Sequence, residues 1–99
     1  MKTKLLLRLG VRVPNEGARR FAQFIMRQPV GTLAKMLRKL GISQIAMERM
    51  MSGEIAPGSF DGYQIFAFTR GAVTAKDWYR TAAGGWFDFA AIEPLRWAA

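Results

Sequence analysis

Polar side chains that can hydrogen-bond to a ligand follow Gly41 at helical spacing. Gln44 can form two hydrogen bonds with an adenine, and Glu48 can accept one from the amino group of a cytosine. Arg49 has two alternatives, which are a contact with DNA and an ion pair with Glu48 or Glu54. These side chains therefore indicate a surface that can read the bases of a nucleic acid.

The composition gives little support to catalytic or metal-binding chemistry. The 99 residues include no Cys and no His, which removes disulfides, thiolate ligands, the most common general base and the most common zinc ligand. Only seven carboxylates are present, and no two of them are arranged as an acid–base pair. We therefore expect neither an enzyme nor a metal site nor a cofactor.

Positive charge is concentrated in the first half of a chain whose net charge is +8. Residues 1–49 carry 11 basic and 2 acidic side chains, whereas residues 50–99 carry 4 basic and 5 acidic ones. A polyanionic partner would therefore meet the first half of the chain. The alternatives are a solvated basic surface without a ligand and binding to an anionic membrane.

The elements that would position these groups begin with a strand-like extension and a helix. Apolar residues alternate with Arg and Gly over residues 5–13, which is the period of a half-buried strand, and Pro14 ends it. Asn15 stands where a helix N-cap belongs, and apolar residues at helical spacing follow over residues 16–28. The polar face of this helix would carry Arg19, Arg20, Gln23 and Arg27.

A tight turn between two short helices is expected next. Thr32 would cap the helix over residues 33–40, and Gly41 would supply the left-handed residue that ends it. Ile42 would fill the space between the helices, and Ser43 would cap the following helix. Such an arrangement is a helix-turn-helix, whose second helix can enter the major groove of DNA. This recognition helix would run over residues 43–51, and its core-facing residues would be Ala46, Met47 and Met50.

Two further helices and a second strand-like segment complete the predicted elements. Ser59 would cap a helix over residues 60–69, with Tyr63, Phe66 and Ala67 facing the core. Thr74 and Asp77 form a capping box for a short fifth helix, residues 74–80. Residues 86–92 alternate, which predicts either a strand or an aromatic tail packed on the core.

Two stretches of the chain resemble a known family. Residues 40–47, Leu-Gly-Ile-Ser-Gln-Ile-Ala-Met, resemble the Leu-Gly-Val-Ser-Gln-x-Ala-Val signature of Cro-like and YdaS-like phage regulators. Residues 71–79 are similar to the Gly-Gly-x-Val-Thr-x-x-Asp-Leu/Phe stretch that follows the last helix in those proteins. The resemblance covers roughly residues 16–80 and implies a compact helical domain whose third helix enters the major groove of an operator.

The resemblance also implies roles for the residues at matching positions. Those that would contact bases are Gln44, Ile45, Glu48 and Arg49. Those that would lie next to phosphates are Thr32, Lys35 and Ser43. The exposed face of the same helix adds Arg38 and Lys39 as candidate phosphate contacts, with an ordinary solvated face as the alternative.

Three residues depart from the family pattern. Leu37 stands four places before the turn glycine, where the family usually has a small residue that lets the two helices approach closely. Ile45 is apolar where polar residues are usual, and Glu48 repels phosphate. These departures favour an alternative hypothesis, an interaction protein of phage origin that keeps the helix-turn-helix shape. Such a protein would inhibit a host protein such as a nuclease or a polymerase.

The sequence thus predicts a mainly α protein in three parts. A helix-turn-helix domain of about five helices, residues 16–80, lies between a strand-like extension, residues 1–15, and an aromatic tail, residues 81–99. The expected function is a sequence-specific DNA-binding transcriptional regulator, a repressor of phage or prophage type that binds double-stranded DNA. No segment predicts membrane insertion, and the expected location is the cytoplasm of a bacterial host.

The two ends of the chain are candidates for self-association. We hypothesise that residues 5–13 and 86–92 pair on the helical domain and contact a second copy, giving a symmetric homodimer. The alternative is a monomer in which residues 5–13 pack on the core of their own chain.

Overall fold

Four α-helices and one short 3-10 helix make up the part of the protein that the computed structural model describes, Gly10 and residues 12–88. No strand occurs within that part, so the fold is mainly α, as the sequence predicts. The predicted strand over residues 5–13 lies mostly outside the described residues, and residues 86–88 form a turn. The helices are α1 Glu16–Met26, α2 Thr32–Leu40, α3 Gln44–Met51 and α4 Ser59–Phe68, followed by the 3-10 helix Ala75–Tyr79.

The helix boundaries follow local capping groups, with two corrections to the sequence prediction. The side chain of Asn15 accepts a hydrogen bond from the N–H of Ala18 at 2.8 Å, as expected for an N-cap. Thr32 and Ser59, which the sequence predicted as caps, are instead the first residues of α2 and α4. The caps are Gly31, whose φ of 98° places it in the left-handed region, and Gly58.

Sulfur-containing and aromatic side chains form the centre of the core. The four methionines of α2 and α3 are almost completely buried; apolar spacing predicts this for Met36, Met47 and Met50, and Met51 joins them. Phe21 of α1 and Trp78 of the 3-10 helix lie with their ring centroids 6.5 Å apart. The methionines are Met36, Met47, Met50 and Met51, and other fully buried members of this core include Ala18, Ala22, Ile65 and Val73.

The orientation of α4 differs from the prediction. Tyr63, Phe66 and Ala67 were expected to face the core, yet all three are exposed. The buried positions are Gly62 and Ile65. Gly62 packs close to the 3-10 helix, because a Cβ atom there would lie 3.6 Å from that of Ala75.

The polar face of α1 is also placed differently from the prediction. Arg19 and Gln23 were assigned to the face directed away from the core, but they are 2% and 4% exposed. The chain after the 3-10 helix covers them: Arg19 Nε donates to the carbonyl of Gly85 at 3.0 Å, and Gln23 Nε2 donates to that of Trp86 at 2.6 Å. The indole N–H of Trp86 in turn donates to the carbonyl of Gly10 at 2.8 Å. The described part of the predicted aromatic tail is therefore docked on α1.

Glu16 is the buried acidic group at the centre of this contact. Its Oε2 accepts hydrogen bonds from Arg19 and Arg20, each at 2.9 Å. Its Oε1 accepts one from the N–H of Ala83 at 2.8 Å, and its own N–H donates to the carbonyl of Arg80 at 2.9 Å. Burial alone would raise the pKa of Glu16, but the Ala83 hydrogen bond and the two guanidinium groups outweigh it and lower the pKa below its ordinary value.

Among the described residues, no helix has the length and apolar character that a membrane crossing requires.

The close packing of Trp78 on Gly17 leads to a first prediction. A Cβ atom at position 17 would overlap the Trp78 ring, so Gly17→Ala forces a buried indole to move. We expect a loss of about 1–3 kcal/mol in the free energy of unfolding, despite a helix-propensity gain of up to about 1 kcal/mol. Denaturant unfolding measures the change. Gly62→Ala is the matched control and should stabilise the protein, because its new Cβ meets Ala75 at an ordinary distance. Equal effects of the two substitutions would contradict the packing described.

The lowered pKa of Glu16 leads to a second prediction. Because the pKa is lower in the folded than in the unfolded protein, the ionised carboxylate stabilises the fold at neutral pH. This stabilisation is lost as the pH falls through the folded-state value. Glu16→Gln should cost roughly 3 kcal/mol at neutral pH, since it leaves Arg19 buried without its carboxylate, and should flatten the acid side of the stability profile. Glu54→Gln, in an exposed ion pair, should keep the wild-type profile. A Glu16→Gln profile with undiminished acid sensitivity would disprove the assignment.

Candidate nucleic-acid interface

The turn between α2 and α3 has the geometry that the sequence predicts. Gly41 ends α2 with φ 70° and ψ 30°, a left-handed conformation that favours glycine. The N–H of Ile42 donates to the carbonyl of Leu37 at 3.0 Å, and the Ile42 side chain is buried. The Ser43 side chain accepts a hydrogen bond from the N–H of Ala46 at 3.0 Å, which starts α3. The three residues together end α2 and start α3.

Gln64 of α4 supports this turn and was not singled out in the sequence. Its Nε2 donates to the carbonyl of Leu40 at 3.2 Å, and so satisfies one of the acceptors left open at the end of α2. The signal available in the sequence was a polar residue within the largely apolar α4. A residue 24 positions further along the chain thus holds the end of α2.

The faces of α3 agree with the predicted division. Met47, Met50 and Met51 are buried, and Ala46 is half-buried. The candidate base-reading residues lie on the other side of the helix. Gln44, Ile45 and Arg49 are exposed, and Glu48 is half-buried.

Neighbouring side chains pair along the outer face of α3. Gln44 Nε2 donates to Glu48 Oε2 at 3.3 Å, and Arg49 Nε lies 3.4 Å from Glu54 Oε1. The Arg49 ion pair is one of the two alternatives that the sequence left open. Both of its partners are more than half exposed, so the pair is weak and a ligand can replace it at little cost.

Basic side chains project from α2 beside the turn. Lys35, Arg38 and Lys39 are exposed and stand at positions i, i+3 and i+4, so they share one helix face. Thr32, at the start of α2, is half-buried. Ser43 is exposed, and its hydroxyl can still donate a hydrogen bond while it accepts one from Ala46. The candidate phosphate neighbours are therefore accessible on α2 and at the start of α3.

Part of the positive charge counted in the first half of the chain is internal. Arg19 is buried and Arg20 half-buried, and both form ion pairs with the buried Glu16, so their charges are partly neutralised before they reach the surface. The remaining exposed basic residues in the described part of residues 12–51 are Arg12, Arg27, Lys35, Arg38, Lys39 and Arg49.

Within residues 12–88 and Gly10, no cluster of three or more acidic side chains is arranged to hold a metal ion. Compared with protein-family models, with curated proteins and with solved structures, the chain matches none of them.

The N-terminal ends of α2 and α3 lead to a third prediction. Ser43→Ala removes the hydroxyl that accepts from Ala46, so we expect a loss of about 1 kcal/mol in the free energy of unfolding. Thr32→Ala is the matched control. Its side chain makes no capping hydrogen bond, so stability should stay unchanged or rise slightly with the higher helix propensity of Ala. Thermal or denaturant unfolding compares the two variants. A larger loss for Thr32→Ala would reverse the assignment of the caps.

Proposed function

We propose that the protein is a sequence-specific DNA-binding transcriptional regulator that acts by occupying an operator, with α3 as the recognition helix. The observation that carries the proposal is the turn at Gly41, Ile42 and Ser43, which joins two short helices and leaves one face of the second exposed. A helix-turn-helix uses such a turn to offer its second helix to the major groove.

Base reading would centre on Gln44. A bidentate contact with adenine needs one amide N–H and the amide oxygen. The hydrogen bond from Gln44 Nε2 to Glu48 uses one of the two N–H groups and leaves the other, together with the oxygen, for the base. Glu48 can thus orient Gln44, or accept from a cytosine itself. Arg49 would exchange Glu54 for a base, and Ile45 would supply an apolar contact such as that with a thymine methyl group.

Phosphate contacts would hold the protein in register. Lys35, Arg38 and Lys39 present three positive charges on one face of α2. Ser43 adds a hydroxyl at the start of α3, where the helix dipole favours an anion. Thr32 can add a hydroxyl from the start of α2. Such contacts fix orientation without reading sequence.

Residues 40–47 and 71–79 support a phage or prophage origin through their resemblance to Cro-like and YdaS-like regulators. On this reading the protein is a repressor in the cytoplasm of a bacterial host. It would bind double-stranded DNA as a homodimer, because one helix-turn-helix alone rarely holds an operator tightly.

A second candidate is an interaction protein that inhibits a host protein such as a nuclease or a polymerase. The observation that favours it is the character of the outer α3 face. Ile45 is 64% exposed, and Arg49 is balanced by Glu54, so the centre of this face is more apolar and less positive than a typical DNA-reading surface. An exposed aliphatic side chain surrounded by paired polar groups suits a protein partner.

A fourth prediction tests DNA recognition. Selection from a random pool of double-stranded DNA should enrich a palindromic motif, and binding to it should weaken steeply with salt. Gln44→Ala should cost roughly 1–3 kcal/mol on that motif and relax one base position. Lys35→Ala should weaken binding to all sequences alike. It should also reduce, by about one, the slope of the logarithm of the binding constant against the logarithm of the salt concentration.

Lys76→Ala is the control for Lys35→Ala, because Lys76 is an exposed lysine on the 3-10 helix. Its affinity for DNA should equal that of the wild type. Absence of any enriched motif, together with salt-independent binding, would reject the regulator. A protein partner whose binding is lost in Ile45→Arg would then establish the second candidate.

A further inference from the structure

Three aromatic rings lie along the outer side of α4, and we call them the α4 aromatic face: Phe60, Tyr63 and Phe66. These residues are 72%, 66% and 40% exposed. The rings of Tyr63 and Phe66 have centroids 6.3 Å apart, so they form a continuous surface. Single exposed apolar residues are ordinary on proteins, whereas a contiguous apolar patch marks a site of interaction.

We propose that the α4 aromatic face is the contact surface between two copies of this chain. The role of this dimer in DNA binding rests on the proposed function, because dimerisation would bring two recognition helices to one operator. Self-association itself involves no DNA and is measured without it.

The size of the patch suits an interface between proteins. Aromatic side chains bury about 150–250 Å² each when fully covered, so three rings at these exposures offer roughly 350 Å². A stable interface takes about 800 Å² from each partner, of which the rings would supply nearly half as an apolar centre. Exposed Ala67 and half-buried Asp61 border the rings and can contribute to the rim.

The charge distribution favours a second copy over a polyanion as the occupant. The chain carries a net charge of +8, so two copies repel each other over most approaches. Residues 50–69, which include α4, contain no Lys or Arg. α4 itself therefore offers no cation to a polyanion and adds no repulsion between cations to a contact between two copies, and the first basic residue after it is the exposed Arg70.

The spacing of the rings is symmetric about Tyr63, which is compatible with a two-fold contact between two α4 helices. In such a contact, residue i meets residue j and residue j meets residue i. Phe60 and Phe66 stand three positions before and after Tyr63. Antiparallel α4 helices would therefore place Phe60 against Phe66 of the partner subunit, with the two Tyr63 rings at the centre and their hydroxyls in water.

The described part of the C-terminal tail is engaged elsewhere. Gly85 and Trp86 are hydrogen-bonded to Arg19 and Gln23 of their own chain, so these tail residues are docked rather than offered to a partner. The α4 aromatic face, in contrast, belongs to the same helix as Gln64, which holds the end of α2. A dimer formed through α4 would thus be connected rigidly to the helix-turn-helix.

The test is self-association of the full chain without DNA, measured by sedimentation equilibrium over a series of protein concentrations. Tyr63→Arg sets two positive charges against each other at the centre of the proposed contact. It should weaken the dimer by about a hundredfold or more. Tyr79→Arg is the matched control, because Tyr79 is 73% exposed on the 3-10 helix, outside the α4 aromatic face. It should dimerise like the wild type.

Circular dichroism checks that each variant is folded, and Phe60→Ser serves as a second disruption should Tyr63→Arg unfold. A wild-type monomer at all concentrations would overturn the proposal, as would equal effects of Tyr63→Arg and Tyr79→Arg. A dimer that Tyr63→Arg dissociates, in a protein that selects no DNA motif, would support this interface and reject the regulator.

Discussion

A buried carboxylate costs free energy unless charged and hydrogen-bonding groups replace the water that it loses. Glu16 is 2% exposed and is satisfied by Arg19, Arg20 and the N–H of Ala83. Because these partners come from both α1 and the chain after the 3-10 helix, satisfying one side chain joins the first helix to the last described segment. The 3-10 helix, which lies between these two segments in the chain, is thereby held against α1, and the Trp78 ring packs on Gly17. This closure therefore fixes the position of the 3-10 helix, and with it Trp78 of the core, relative to α1.

Most features decided by neighbours in the sequence could be predicted, although the N-caps of α2 and α4 are one residue earlier than expected. Asn15 and Ser43 cap their helices because the N–H groups that they satisfy lie only three residues away. Gly41 adopts the left-handed conformation because a helix ends there against a buried Ile42. The position of the turn and the exposure of Gln44 follow from these local choices and from apolar spacing, so the geometry of the candidate site was accessible without the structure.

Features decided by distant residues could not be predicted. Arginine is usually exposed to solvent, and Arg19 is buried only because residues 80–86 return to α1 and cover it. Most residues of α4 are apolar, so spacing does not tell its inner face from its outer one, and the close approach of Gly62 to Ala75 decides which side is buried. Gln64 likewise has a role only because α4 packs beside the end of α2.

The hydrogen bond between Trp86 and Gly10 has a consequence for the order of folding. It joins residues 76 positions apart, and the entropy cost of closing such a loop grows with the logarithm of its length. The bond from Ile42 to Leu37 joins near neighbours and carries almost none of that cost. We therefore expect the turn to form early and the docking of residues 80–86 to come last. In the folded protein, we expect detachment of residues 80–86 from α1 to be the partial unfolding that costs the least free energy. It would expose the polar side of α1 and leave the turn between α2 and α3 formed.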